Sequence, residues 1–116
     1  MEDRRFNPRQ FKMKAFNMET KLMMRLNSID CKQGELFKKG YHLLQYTGLK
    51  DAEGEEIFEL DRVFLNGEKF IIFWSEEDCG WKVFSERKTE KSFSLEKGWA
   101  LKTTRLCNSL EPNPLH

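Results

Sequence analysis

Asn66 and Gly67 separate two runs of residues that are typical of β-strands, DRVFL before the pair and EKFIIFW after it. Both residues tolerate the positive φ of a type I′ turn, so the pair predicts a β-hairpin with a two-residue loop. A loop of that length also determines which residues face one another across the two strands. The predicted pairs are Leu65 with Glu68, Val63 with Phe70, and Asp61 with Ile72.

Both sides of this hairpin carry large apolar side chains. The side that we expect to face the core carries Val63, Leu65, Phe70, Ile72 and Trp74. The other side carries Phe64, Ile71 and Phe73, together with Arg62 and Lys69. A surface hairpin usually has one polar side, so the second side needs a cover. An N-terminal hairpin, another copy of the chain and a foreign protein are the alternatives, which makes Phe64, Ile71 and Phe73 a candidate partner or oligomer surface.

The rest of the chain alternates in the way that antiparallel strands do. FKMKAF, the turn NMET and KLMMRLNSI predict an N-terminal hairpin, with a helix over 18–26 as the alternative. WKVFS predicts a further strand after the acidic turn SEEDCG, and SFSL and GWALKTTRL predict one or two short strands more. We therefore predict a mainly β protein built as a small antiparallel barrel, with an α+β fold as the alternative.

The length of 116 residues allows one domain with one modest core. The longest apolar run, residues 70–74, is far shorter than the roughly 20 residues that span a bilayer, and the charged beginning has no signal-peptide core. Cys31, Cys79 and Cys107 form no CxxC pair and no even disulfide set, which fits reduced thiols. These features predict a soluble protein of the cytoplasm with no membrane partner.

The formal net charge of +1 hides a segregation of charge along the chain. Residues 1–50 contain eleven Lys or Arg against five Asp or Glu, whereas residues 51–86 contain three against eleven. The acidic block opposes nucleic acid unless the fold places it on another face, so nucleic acid is an alternative partner only. Its candidate contacts are Arg4, Arg5, Arg9, Lys12 and Lys14. A stacking platform for single-stranded nucleic acid, or a groove for a peptide, could come from Trp74, Trp81 and Trp99 with Phe70 and Phe73, although we favour a place in the core for Trp74 and Trp81.

The stretch from Thr47 to Asp51 is the best-patterned candidate for a chemical site, but its residues do not support one. It has one glycine and lacks the GxxxxGK[ST] pattern that cradles a phosphate, and the following acids lack the spacing of a calcium loop. His42 and His116 are the two histidines, and a strand-like context favours a partly buried sheet position for His42. We predict no catalytic residue, no cofactor and no metal. The stretch is instead predicted to be a structural joint, where Gly48 redirects a strand.

QYTGLKDAEGEEIFELDRV resembles the central motif of the YopX family of phage and prophage proteins, in which QYTGLKD precedes a turn and an EIYEGDIV type of strand. FKMKAFNMETKLM is similar to the opening hairpin of that family, and RLCNSLEPNPLH to its closing segment. Leu60 stands where the family has a glycine before aspartate, so a tight bend there must be made otherwise or be absent.

The resemblance implies one domain with an SH3-like β core over 46–110, a variable N-terminal β-hairpin portion over 1–45 and an irregular tail over 111–116. It also implies a phage-derived gene, and it brings no catalytic residue. We therefore predict a non-catalytic phage or prophage accessory protein in the bacterial cytoplasm that binds an unknown protein partner or associates with itself. The alternative is a nucleic-acid-binding accessory factor that uses the basic N-terminal segment.

Overall fold

The computed structural model describes residues 12–26 and 40–111, which form nine strands and one short helix. The elements are β1 (Met13–Asn17), β2 (Met23–Leu26), β3 (Tyr41–Lys50), β4 (Glu56–Phe58), β5 (Asp61–Leu65), β6 (Glu68–Ser75), β7 (Gly80–Ser85), β8 (Lys88–Ser94), α1 (Lys97–Ala100) and β9 (Thr104–Asn108). They build a four-stranded sheet in the order β2-β1-β3-β4 and a five-stranded sheet in the order β8-β7-β6-β5-β9.

Every neighbouring strand pair in these two sheets is antiparallel, which confirms the predicted mainly β fold. Hydrogen bonds do not join the two sheets into one continuous ring within the described ranges. The likeness to an SH3 barrel therefore stays a prediction. In the same ranges, no helix has the length and apolar character that a membrane crossing requires.

The N-terminal hairpin forms as predicted, and the alternative of a helix over 18–26 is wrong. β1 pairs with β2 from Met13 opposite Leu26 to Phe16 opposite Met23. The side chain of Asn17 accepts the backbone N–H groups of Glu19 at 2.9 Å and Thr20 at 3.1 Å. Such local bonds offer the backbone an alternative to helical hydrogen bonds, and here they fix a turn.

The central hairpin has the predicted register, with Val63 opposite Phe70 and Leu65 opposite Glu68. Asn66 and Gly67 have φ values of 50° and 81°. Both values are positive, as a type I′ turn requires. The turn chemistry alone therefore specified the pairing of β5 with β6.

The core lies between the inner side of the five-stranded sheet and a cover made by β3, β4 and α1. Its fully buried members are Ile57, Val63, Ile72, Val83 and Ala100, and its partly buried members are Leu49, Phe70, Trp81, Leu95 and Trp99. Burial of each large aliphatic side chain contributes about 1.5–3 kcal/mol. The predicted core side of the central hairpin is therefore confirmed at Val63, Phe70 and Ile72.

Trp74 is a correction to the predicted core, because its side chain is 44% exposed. It lies near the end of β6, opposite Trp81 and beyond the elements that cover the sheet. The two indole rings meet edge to face, with their centroids 5.2 Å apart. Trp81 contacts the core cluster, and Trp74 packs against the side of Trp81 that is turned away from this cluster.

The GWALKTTRL segment begins as a helix rather than as a strand, since α1 precedes β9. The hydroxyl of Thr103 donates to the carbonyl of Ala100 at 2.7 Å and closes the helix. Trp99 meets the Phe70 ring at a centroid distance of 5.2 Å, and Ala100 is fully buried. The helical turn thus directs both side chains into the core.

The stretch from Thr47 to Asp51 is a joint, as predicted. β3 has an irregular register between Tyr46 and Lys50, and Gly48 has a φ of 88°. The carboxylate of Asp51 accepts the backbone N–H of Glu53 at 2.9 Å and of Glu55 at 2.8 Å. Asp51 therefore closes the turn into β4 with its own side chain.

Candidate interaction surface

The side of the five-stranded sheet that faces away from the core is called the outer face, and it carries Phe64, Ile71, Phe73 and Phe84. Alternation along β5, β6 and β7 puts these residues opposite to the buried Val63, Ile72 and Val83. Phe64 is 40% exposed, and the other three are half-buried. The three residues predicted as a partner surface therefore lie on one face.

The outer face carries apolar side chains on three neighbouring strands, although the residue of β5 directly opposite Ile71 is Arg62. Ile71 lies opposite Phe84 in the register of β6 with β7, and the rings of Phe73 and Phe84 have centroids 5.6 Å apart. Phe64 adds an apolar ring on β5. Contacts of this kind hold the rings in place without burying them.

The N-terminal hairpin does not provide the cover that was considered for this surface, as far as residues 12–26 are concerned. β1 pairs with β2 and β3 and so extends the four-stranded sheet. That sheet packs against the inner side of the five-stranded sheet through Leu49 and Ile57. As far as the described residues are concerned, another copy of the chain and a foreign protein remain as the possible covers of the outer face.

Along β5, β6 and β7, the charged side chains that alternate onto the outer face are Arg62, Lys69 and Lys82. Arg62 donates from Nε to the Glu86 carboxylate and from Nη1 to Cys107 Sγ at 3.7 Å. The hydrogen bond with Glu86 raises the pKa of Arg62, so its charge is permanent. The Lys82 ammonium contacts Asp78 Oδ2 at 2.8 Å.

Lys69 differs from the other two cations because it is exposed and has no ion pair within the described ranges. It lies directly opposite Phe64 in the register of β5 with β6. An apolar strip next to an unpaired ammonium suits a partner whose contact surface is apolar with an acidic rim.

Of the five residues predicted as nucleic-acid contacts, the structure describes Lys12 and Lys14, and these two do not form an exposed basic row. Arg4, Arg5 and Arg9 lie outside the described residues. The Lys12 ammonium is bonded to the Glu56 carboxylate, and Lys14 is only 8% exposed. Phosphate binding along a strand needs several accessible cations, which these two lysines do not supply.

A buried polar cluster at the junction of the two sheets was missed in the sequence. Its members are Asp51, Asp61, Arg105 and Asn108. The amide of Asn108 donates to Asp61 Oδ1 at 2.9 Å and to the carbonyl of Glu59 at 2.9 Å. A signal for it existed, since the predicted register placed the carboxylate of Asp61 on the core side, where a charge needs a partner.

The chemistry available for a metal site is sparse in the part of the chain that the structure describes. No group of three or more His, Cys, Asp or Glu side chains converges there in a way that could hold a metal ion. His42 is half-buried in β3, where it lies opposite Phe16 of β1. This confirms the predicted sheet position of His42.

Comparison with known proteins agrees with this architecture. The crystal structure of protein EF1440 from Enterococcus faecalis matches with a TM-score of 0.60 and 16% sequence identity, over 88% of this chain and 94% of that chain. At this identity the likeness concerns the fold alone. Among curated proteins, none matches this chain. The family model described as YopX protein matches residues 4–106, which is most of the chain, and the chain therefore belongs to the YopX family.

Proposed function

We propose that this protein is a non-catalytic protein-binding module, and that its outer face binds a protein surface that is apolar with an acidic rim. The observation that carries the proposal is the exposure of the Phe64 ring beside the Lys69 ammonium, which forms no ion pair with any other described residue. Apolar strips of this kind are costly to leave in water, and a nearby cation selects the charge of whatever covers them.

The proposal also concerns the setting of the protein. We place it in the cytoplasm of a bacterial host, as the product of a phage or prophage gene. Its mechanism is surface complementarity, in which Phe64, Ile71 and Phe73 supply buried apolar area and Lys69 supplies specificity. The partner can also be a second copy of the chain, in which case the protein assembles with itself through the outer face.

Site-specific photo-crosslinking tests the proposal in the organism that carries the gene. A photoreactive phenylalanine is placed at position 64, and a matched control is placed at position 101, where Leu101 is also exposed. We expect an adduct at position 64 that is absent at 101. The charge reversal Lys69→Glu should lower the yield of this adduct about threefold or more, because it repels an acidic rim.

The outcomes separate the versions of the proposal. An adduct between two copies of the chain would replace the foreign partner by self-assembly, and sedimentation of the purified protein with and without Ile71→Lys would check it. Equal labelling at positions 64 and 101 would contradict the proposal. An adduct that Lys69→Glu leaves unchanged would contradict the acidic character of the partner.

The nucleic-acid alternative rests on Arg4, Arg5 and Arg9, which lie outside the described residues. A gel-shift titration with a short single-stranded DNA tests it, because phosphate binding weakens steeply as salt rises. Retardation at low salt that disappears at moderate salt would favour that alternative. Absence of retardation at low salt would remove it.

A further inference from the structure

Lys14 is the most unusual charged residue of the four-stranded sheet. It lies in β1 and is 8% exposed, and its ammonium is 4.3 Å from the centroid of the Phe58 ring. None of the ion pairs or side-chain hydrogen bonds among residues 12–26 and 40–111 includes its Nζ atom. Buried charges in proteins are normally paired, so this ammonium lacks the anion that its position calls for.

Arg25 brings a second cation to the same ring. It lies opposite Lys14 in the register of β1 with β2, and its Cζ atom is 5.6 Å from the Phe58 centroid. One of its nitrogens, Nη1, donates to Glu56 Oε1 at 2.9 Å. Its side chain is 61% exposed, and no hydrogen bond in the described ranges uses its Nε or Nη2.

The nearby carboxylates cannot serve as the missing partner, because other donors already occupy them. The two oxygens of Asp61 accept from the backbone N–H of Phe58, from two nitrogens of Arg105 and from Asn108. The Glu56 carboxylate bridges Lys12 and Arg25. Neither group hydrogen-bonds the Lys14 ammonium, and Asp61 acts on its charge only at longer range, as Glu111 does.

The Lys14 ammonium nevertheless has access to solvent. In the described part of the chain, every side-chain nitrogen or oxygen that is fully enclosed has a hydrogen-bond partner. The Nζ atom of Lys14 has no such partner there, so it is not fully enclosed. The ammonium therefore reaches solvent, and the exposed guanidinium of Arg25 belongs to the residue that lies opposite Lys14.

We propose that Lys14 and Arg25 bind a single carboxylate group at the point where the two cations reach solvent. One negative charge is what the Lys14 ammonium lacks among the described residues, since Glu56 is bonded to Lys12 and Arg25, and Asp61 to Arg105. A planar carboxylate presents two oxygens, one for the ammonium and one for the guanidinium. This site is on the other sheet from the outer face and does not depend on the proposed function.

The carboxylate could belong to a free organic acid or to the C-terminus of a peptide, and one titration distinguishes the sources. The probes are sodium acetate, an N-acetylated dipeptide with a free C-terminus, and sodium phosphate, each added at constant ionic strength. Two-dimensional NMR follows the side-chain signals of Lys14 and the ring signals of Phe58. We expect saturable shifts of both with the two carboxylates, with a dissociation constant on the order of 1 mM. Tighter binding of the dipeptide than of acetate would indicate a peptide terminus, and equal binding a free acid.

Variants connect the shifts to the residues. Lys14→Met retains the length of the side chain without its charge, and we expect affinity to fall about tenfold or more. Lys91→Met is the matched control, because this exposed lysine lies on β8 of the other sheet, and binding should not change. Arg25→Gln is a second variant in case Lys14→Met alters the fold, which the backbone spectrum would reveal. Its expected loss is about threefold, since Arg25 keeps one nitrogen on Glu56 in the free protein.

Three results would overturn the proposal. The first is the absence of saturable shifts at about 50 mM carboxylate, which is well above the expected dissociation constant. The second is unchanged binding in both Lys14→Met and Arg25→Gln. The third is tighter binding of phosphate than of either carboxylate, which would contradict the single missing charge.

Discussion

Asp61 has no exposed surface, and its carboxylate accepts two hydrogen bonds from the guanidinium of Arg105, from Nε to Oδ2 at 2.8 Å and from Nη2 to Oδ1 at 3.3 Å. The pair joins the first residue of β5 to β9, and the backbone N–H of Phe58 adds a third bond to the same carboxylate at 2.7 Å. Both oxygens of this carboxylate accept hydrogen bonds, and these bonds specify how the chain passes from the four-stranded sheet to the five-stranded sheet.

The substitution Asp61→Asn should be strongly destabilising. It removes the charge but leaves the Arg105 guanidinium half-buried, with Glu111 at 3.9 Å as its remaining acid among the described residues. Breaking one side of a buried pair costs about 3–5 kcal/mol, so we expect the free energy of unfolding to fall by about 3 kcal/mol. Urea denaturation at pH 7 measures it. The exposed pair of Asp78 with Lys82 is the control, and Asp78→Asn should leave stability unchanged within error.

Asp51 has a comparable structural role on the neighbouring turn. Besides the two loop N–H groups, its Oδ2 accepts the backbone N–H of Arg105 at 2.7 Å. We expect Asp51→Ala to lower the free energy of unfolding by about 2–3 kcal/mol, because three N–H groups lose a charged acceptor. Thermal unfolding measures the loss. Glu53→Ala in the same turn uncovers no buried group and should leave the free energy of unfolding unchanged. A loss as large as that of Asp51→Ala would contradict the structural role of Asp51.

The elements that could be predicted from the sequence are those determined by residues close to one another in the chain. The register of β5 with β6 follows from Asn66 and Gly67, which adopt the positive φ values that the turn needs. The N-terminal turn follows from Asn17 in the same way. In both places the residues that decide the structure are within a few positions of one another.

The polar junction could not be predicted, because its partners are far apart in the chain. Arg105 and Asn108 lie 44 and 47 positions after Asp61, and an irregular register between Arg62 and Val63 brings them into place. Alternation predicted that Asp61 faces inward but not what meets it there. Lys14 was likewise chosen as an exposed contact, since the ring of Phe58, which covers it, belongs to another strand.

Leu60 makes a bend with a φ of 64°, a conformation that favours glycine. Its backbone is held there by two bonds, from its N–H to the carbonyl of Ile72 at 2.7 Å and from the N–H of Ser109 to its carbonyl at 2.8 Å. A side chain in this conformation costs about 1–2 kcal/mol. We therefore expect Leu60→Gly to be more stable than Leu60→Ala by about 1 kcal/mol, the reverse of the usual order. Urea denaturation compares the two, and alanine being equal or better would show that the bend is unstrained.

Glu56 should contribute a stability that depends on pH. Burial alone would raise the pKa of its carboxyl group, but the hydrogen bonds from Lys12 and Arg25 outweigh burial and hold this pKa below the ordinary value of 4.5. The folded state therefore prefers the ionised form, and its stabilising effect is present above pH 4.5 and lost as pH falls through the folded-state pKa. Melting temperatures of the wild type and Glu56→Gln measured from pH 7 to pH 3 should converge at the acid end. A constant difference between them would contradict this account.

Lys14 should lower the stability of the free protein, in keeping with a charge that is held for a ligand. Burial, followed by the charges of Arg105 and Arg25, lowers its pKa below 10.5, so folding disfavours the ammonium form. The wild type should therefore become more stable as pH rises from the folded-state pKa of Lys14 towards 10.5. Lys14→Met should raise the free energy of unfolding at pH 7 by about 1 kcal/mol, and this gain should shrink at alkaline pH. Urea denaturation at pH 7 and at alkaline pH measures both effects.

Arg25→Met provides the contrast, since it removes one of the two partners of Glu56 and should lower the free energy of unfolding. A destabilising Lys14→Met would mean that the ammonium already has its anion in the free protein, and Lys14 would then be part of the scaffold.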